Sequence, residues 1–202
     1  MAYSDFSLQK VKKEFELIER VEVLFPQTGT LEASPWLTET LAVSLPLALS
    51  SSSEKARSEF IIVPLLLEIE KRYPTEFVIF SGERLDVNDE KGLKGECDFI
   101  LSKGPISSTI QAPIFILVEA KRNDIKEGLG RCIAQMLGAQ LFNQQEGNPI
   151  EEIYGCVTTG EYWQFLKLTD KIITLDKARY YLSELHQVLW IFQYIVQTQG
   201  MN

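Results

Sequence analysis

Histidine is almost missing from this chain: His186 stands alone, in a segment with helical periodicity near the C-terminus. A His-dependent triad or a His-rich metal site is thereby excluded. Cysteine is nearly as scarce. Cys97, Cys132 and Cys156 form no close pair, so neither a zinc knuckle nor a Cys-x-x-Cys redox site is present, and an odd number at wide spacing is no secreted disulfide framework. The expectation is three free thiols in a reducing cytoplasm. Positive charge is in deficit, with 20 Lys and Arg against 28 Asp and Glu and a net charge of −8. That balance argues against a chain that coats nucleic acid or anionic membrane nonspecifically, though it leaves room for a local cationic groove. Long apolar runs are also lacking: Leu41–Leu49 and Phe60–Leu67 are each about half a membrane span and are broken by Pro46 and Pro64. Met1–Lys10 has no basic-then-apolar signal pattern. No P-loop occurs, and Gly128-Leu129-Gly130 lacks the third glycine and the leading strand of a dinucleotide fingerprint.

What remains is a globular composition, 45% hydrophobic and 24% charged over 202 residues, enough for one domain with a small appendage. Phe6, Leu8, Val11, Phe15 and Ile18 have helical spacing, followed by strand-like Val21–Phe25. Residues 26–53, with Pro26, Gly29, Pro35, Pro46 and a serine run, read as a connector holding one short helix near Leu37–Val43. Ser51 and Glu54 have capping-box spacing and predict a helix running to about Arg72, where Pro74 stops it. Glu76–Phe80, Glu96–Leu101 and Ile114–Lys121 read as strands. The last is so continuously apolar that a central strand buried on both faces is expected. A helix over Ile125–Asn143 follows, then strands at Ile153–Thr158, Tyr162–Leu168 and Lys171–Leu175, with Asp176 as a candidate cap for a final helix. This order predicts a mixed α/β architecture, with residues 1–50 as an N-terminal helical and connector extension packed on a core of residues 51–202.

Three charged residues stand in apolar strand contexts: Asp98, Glu119 and Lys121. Glu119 and Lys121 are two apart and project to one face, while Ala120 points the other way. An Asp on the neighbouring strand can bring a second carboxylate beside Glu119. Two carboxylates with a backbone carbonyl make a hard, oxygen-rich site of the kind Mg²⁺ prefers. Such a metal polarises a phosphodiester and acidifies a bound water, and an adjacent lysine can orient that water or offset developing negative charge.

Asp98 in GECDFILS and Glu119-Ala120-Lys121 in IFILVEAKR resemble the motif of the PD-(D/E)XK nuclease superfamily. The resemblance covers about residues 54–168, and the whole chain is similar to uncharacterised bacterial members. It implies a restriction-endonuclease-like α/β/α sandwich with a central mixed sheet flanked by helices. It also implies a nuclease dependent on Mg²⁺ or Mn²⁺ that hydrolyses phosphodiester bonds of nucleic acid, with DNA the expected substrate, Asp98 and Glu119 on the metal and Lys121 assisting the water. Gln135 matches the polar residue often found on the following helix. A glutamate on the preceding helix often completes the metal site. Glu59 and Glu68 are the candidates, and Glu59 is favoured because it borders the apolar stripe of Ile62, Val63 and Leu66. Two positions depart from the pattern. Cys97 stands where the motif is named for Pro, and Ala139 stands where the exonuclease-like branch carries Tyr.

Blander alternatives attach to the same residues. Glu119 and Lys121 could be a strand-end ion pair, Gln135 a helix-surface residue, and Glu54, Glu70 and Glu96 solvated acids. Lys103, Arg122, Lys126 and Arg131 could line a phosphate groove or be surface charges. The alternative function is a non-catalytic binding or scaffold module on the same fold. Tyr180, Tyr181, Trp190, Phe192 and Tyr194 give the C-terminal segment more aromatics than one buried face needs, which raises the possibility of a homodimer.

Overall fold

The computed structural model describes residues 1–25 and 29–200; Pro26 of the expected connector lies outside them. Among the described residues the strands form one eight-stranded mixed sheet. They are β1 (Ile18–Glu22), β2 (Phe77–Arg84), β3 (Glu96–Lys103), β4 (Ile114–Ala120), β5 (Glu152–Thr158), β6 (Tyr162–Thr169), β7 (Ile172–Asp176) and β8 (Tyr180–Tyr181). The order is β1-β7-β6-β5-β4-β3-β2, with β8 paired to β6. β1 runs parallel to β7 and β4 parallel to β5; the other pairings are antiparallel. β4 is therefore central, and every one of its residues is buried, as its unbroken apolar run demands.

Helices cover both faces. α1 (Leu8–Glu14) and α5 (Ile125–Gln145) lie on one, where Val11, Leu129, Ile133 and Met136 pack with Leu117 and Leu166. α2 (Pro35–Ser50), α4 (Val63–Arg72) and α6 (Leu185–Gly200) lie on the other, where Leu37, Leu65, Ile69, Leu189 and Phe192 pack with Phe99, Val118 and Phe165. The fold is mixed α/β with an eight-stranded sheet between helices. The first 25 residues belong to it: β1 is a sheet edge, and Tyr3, Phe6, Val11 and Leu17 are core residues.

The expected connector is largely helix. Ser34 caps α2 by accepting from Leu37 N at 3.3 Å, and Pro35 occupies the first turn, where its missing N–H costs nothing. Pro46, taken from sequence as a breaker, sits inside α2. The carbonyl it leaves unmatched belongs to Ala42, which is exposed to water. The next helix begins on Ser53, not Ser51: Ser53 Oγ accepts from Ala56 N, and α3 (Glu54–Arg57) leads into a π-helical turn (Ser58–Ile62) and then α4. Pro64 denies a donor to the Phe60 carbonyl, and Ser44 Oγ supplies one from α2 at 2.6 Å.

Two further expectations change. Asp176 does not cap the last helix, since α6 begins only at Leu185. Its carboxylate instead accepts from Leu24 N, Ala178 N and the Tyr180 hydroxyl, tying β7 to the chain before and after it. Tyr180 and Tyr181 lie on β8, outside the helix, and Phe192 is core. Of the C-terminal aromatics, Tyr181 and Tyr194 are exposed. No helix among the described residues is long and apolar enough to cross a membrane.

Candidate functional site

β3, β4 and α5 converge where β4 ends. The β3–β4 ladder holds Phe99 opposite Val118. Beyond that pair the Asp98 carboxylate, rather than a strand carbonyl, takes the Ala120 N–H, at 2.7 Å from Oδ2. One carboxylate oxygen is thus fixed by backbone. The other, Oδ1, faces away toward Arg131.

Glu119 projects from β4 toward α5 and has no exposed surface. Gln135, also fully buried, donates from Nε2 to Glu119 Oε2 at 3.0 Å. Oε1 faces two cations. Lys121 Nζ lies 2.7 Å away and Arg131 Nη1 3.1 Å away, neither aligned as a hydrogen bond. Burial drives the Glu119 carboxyl up to about 7, Asp98 adds to the rise, and Arg131 and Lys121 oppose it. A buried acid this close to a second carboxylate is a frequent mark of a functional site.

Lys121 sits one position past β4, with its ammonium between Glu119 and Glu54 Oε2, 3.9 Å away on the first turn of α3. Its stem runs against Gly128 of α5: a Cβ at that position would lie 3.0 Å from Lys121 Cγ and 2.6 Å from Val157 Cγ1. Arg131 bridges the two acids, with Nη2 3.6 Å from Asp98 Oδ1 and donating to the Glu96 carbonyl at 2.9 Å. Gly128, Arg131 and Gln135 recur at helical spacing, so α5 presents one stripe to the cluster. A pocket of about 470 Å³ opens beside it, lined by Asp98, Glu96, Glu54, Glu59 and Ser81 among others.

The four residues singled out as catalytic in the sequence, Asp98, Glu119, Lys121 and Gln135, are therefore in one place. Glu59 lines the adjoining pocket, but its carboxylate is half exposed and pairs with Lys55 at 3.7 Å. Glu68 is elsewhere. It is buried and accepts from Ser34 N, Ser34 Oγ and Arg72 Nε. Burial alone would raise its carboxyl, but the Ser34 and Arg72 bonds outweigh that and hold it below the usual range. Two members of the cluster are not assigned to it from sequence: Glu54 reads there as a solvated acid, and Arg131 as a phosphate-groove or surface charge. The spacing of Arg131 four residues before Gln135 was the available signal for one; for Glu54 there was none.

A divalent cation fits the donor set. Mg²⁺ needs only one or two protein carboxylates, keeping several waters and leaving places for phosphate oxygens. Asp98 and Glu119 supply the carboxylates, and the buried Gln135 Oε1 has no partner. Among the described residues no group of three or more His, Cys, Asp or Glu side chains is gathered for a metal, so Glu59 adds no third ligand in this arrangement. No protein-family model matches the chain, and no curated protein matches it.

Proposed function

We propose that the chain is a divalent-metal-dependent nuclease that hydrolyses phosphodiester bonds, with DNA as substrate, on a PD-(D/E)XK-type scaffold. The observation that carries this reading is the convergence of Asp98, Glu119 and Lys121 beside an open pocket, with Glu119 fully buried against the Lys121 ammonium, the Arg131 guanidinium and the Gln135 amide. The sheet flanked by helices on both faces agrees with the restriction-endonuclease-like architecture. Three buried free thiols agree with a reducing, cytoplasmic setting.

Mg²⁺ or Mn²⁺ held by Asp98 and Glu119 would polarise the phosphate and acidify a water. The chain's own side chains supply the rest. The Ala120 amide fixes the Asp98 carboxylate, and the Gln135 amide fixes that of Glu119. Lys121, steadied by Glu54 and by the floor that Gly128 leaves open, offers a positive charge to the attacking water or the developing phosphate charge. Purified chain should cleave plasmid or linear DNA with Mg²⁺ or Mn²⁺, and Lys121→Ala should abolish cleavage. Cleavage that persists unchanged in that variant overturns the mechanism.

One observation favours a second reading, a non-catalytic binding or scaffold module. Arg131 and Lys121 together already pair with both acids, as a structural ion-pair network would. Calorimetric titration with Mg²⁺ separates the two, because only the nuclease requires metal binding that is lost in Asp98→Asn and Glu119→Gln.

A further inference from the structure

Arg131 has no part in the hydrolysis proposed above, yet it reaches both acids of the site. Nη1 lies 3.1 Å from Glu119 Oε1 and Nη2 3.6 Å from Asp98 Oδ1. Nη2 is anchored on the Glu96 carbonyl, while Nε is buried without a partner. A desolvated carboxylate pair needs a counter-charge, and the planar fork of a guanidinium can span two acids at once where a lysine ammonium is a single point. A divalent cation drawn to the same two oxygens meets a positive group already in contact with them. The two cations cannot share that position.

We propose that Arg131 is a built-in surrogate for the metal: it pairs with both Asp98 and Glu119 in the metal-free protein and has to withdraw from them when a divalent cation binds. The guanidinium thereby sets the metal concentration at which the site fills. This inference rests on the metal-dependent reading of the site. It assigns Arg131 a regulatory place in that site rather than a role in bond cleavage. The anchor on the Glu96 carbonyl is a single bond at the partly exposed edge of the cluster, so letting go of the acids does not require α5 to move.

The test is isothermal titration of the metal-free full chain with Mn²⁺, together with thermal melts, for wild type, Arg131→Gln, Arg131→Lys and Asp98→Asn. Arg131→Gln should bind Mn²⁺ about tenfold more tightly than wild type, within the range typical of coupling between competing sites. Arg131→Lys should fall between, and Asp98→Asn should not bind. Without metal, Arg131→Gln should melt below wild type, and saturating Mn²⁺ should raise its melting temperature by more than it raises that of wild type. If Arg131→Gln does not fold, Arg131→Lys alone carries the comparison. Equal or weaker binding in the Arg131 variants, with binding still lost in Asp98→Asn, overturns the surrogate role and leaves the metal site standing. No binding by any of the four proteins overturns both.

Discussion

Glu119 is the buried acid at the centre of the candidate site. Its carboxyl titrates near 7 in the folded chain because burial and Asp98 disfavour the charge. A folded-state value above the unfolded one means that the native protein holds this proton more firmly. The resulting stabilisation is complete below the unfolded value near 4.5 and is lost as pH rises through about 7. At about 1.4 kcal/mol per pH unit, the loss amounts to about 3 kcal/mol in the metal-free protein. Glu119→Gln cannot lose that proton. Urea unfolding at pH 5 and pH 8 should therefore show wild-type stability falling between the two, with the variant changing much less; parallel behaviour would refute the assignment. Individual side chains were legible in the sequence where they broke a pattern. Asp98, Glu119 and Lys121 are charges among strand residues, and Gln135 lies one helix away at a matching position. Glu54 and Arg131 broke no pattern. Charges on a helix look solvated whether or not a long side chain reaches back over the sheet; the spacing of Arg131 before Gln135 was a faint signal, and Glu54 is revealed only by the three-dimensional meeting of α3 and β4.

Elements were more legible than residues, and the exceptions have physical causes. The continuous run Ile114–Ala120 became the central strand because it sits between two helix layers and has no solvent face. The serine- and proline-rich stretch was misleading because Pro35 and Pro46 suit it as a helix, one at the first turn and one above an exposed carbonyl. Likewise the π-helical turn before α4 follows from Pro64 and is completed by a hydroxyl from another helix, which no local pattern shows. α5 matters most to the site, through Gly128. An alanine in a helix interior normally gains up to about 1 kcal/mol over glycine. Here its Cβ would press on Val157 and on the Lys121 stem. Gly128→Ala should instead cost about 1–3 kcal/mol by overpacking. It should also lower single-turnover cleavage by about tenfold, the equivalent of 1.4 kcal/mol in the barrier, through a misplaced ammonium. Its Mn²⁺ affinity should stay near wild type, since neither Asp98 nor Glu119 is touched. Chemical denaturation, single-turnover kinetics and calorimetry read stability, cleavage and Mn²⁺ affinity separately.

At the scale of the whole molecule, the net charge of −8 is compatible with the proposed nuclease activity, because a divalent cation on Asp98 and Glu119 would reverse the local sign that a phosphate meets. The mixed α/β class was visible in the alternation of apolar runs. The sheet order was not, because β1 is separated from its partner β7 by about three quarters of the chain. The segment treated from sequence as an N-terminal extension contains that strand together with Tyr3, Phe6, Val11 and Leu17 of the core. Deleting residues 1–25 should therefore leave β7 as a bare, apolar edge and open the α5 face of the core. The truncated chain is expected to lose cooperative thermal unfolding by circular dichroism and to go into the insoluble fraction. A soluble, cooperatively melting product would show that the edge strand is dispensable.

The pairing of Ile18 with Ile172 also has a consequence for synthesis. A chain leaves the ribosome N-terminus first, so the segment that becomes β1 emerges long before β7 exists to receive it. Its exposed Ile18, Val21 and Val23 must pass that interval unpaired, interspersed with Glu19, Arg20 and Glu22. Charges interspersed in this way are the pattern that opposes wrong strand pairing while a partner is absent.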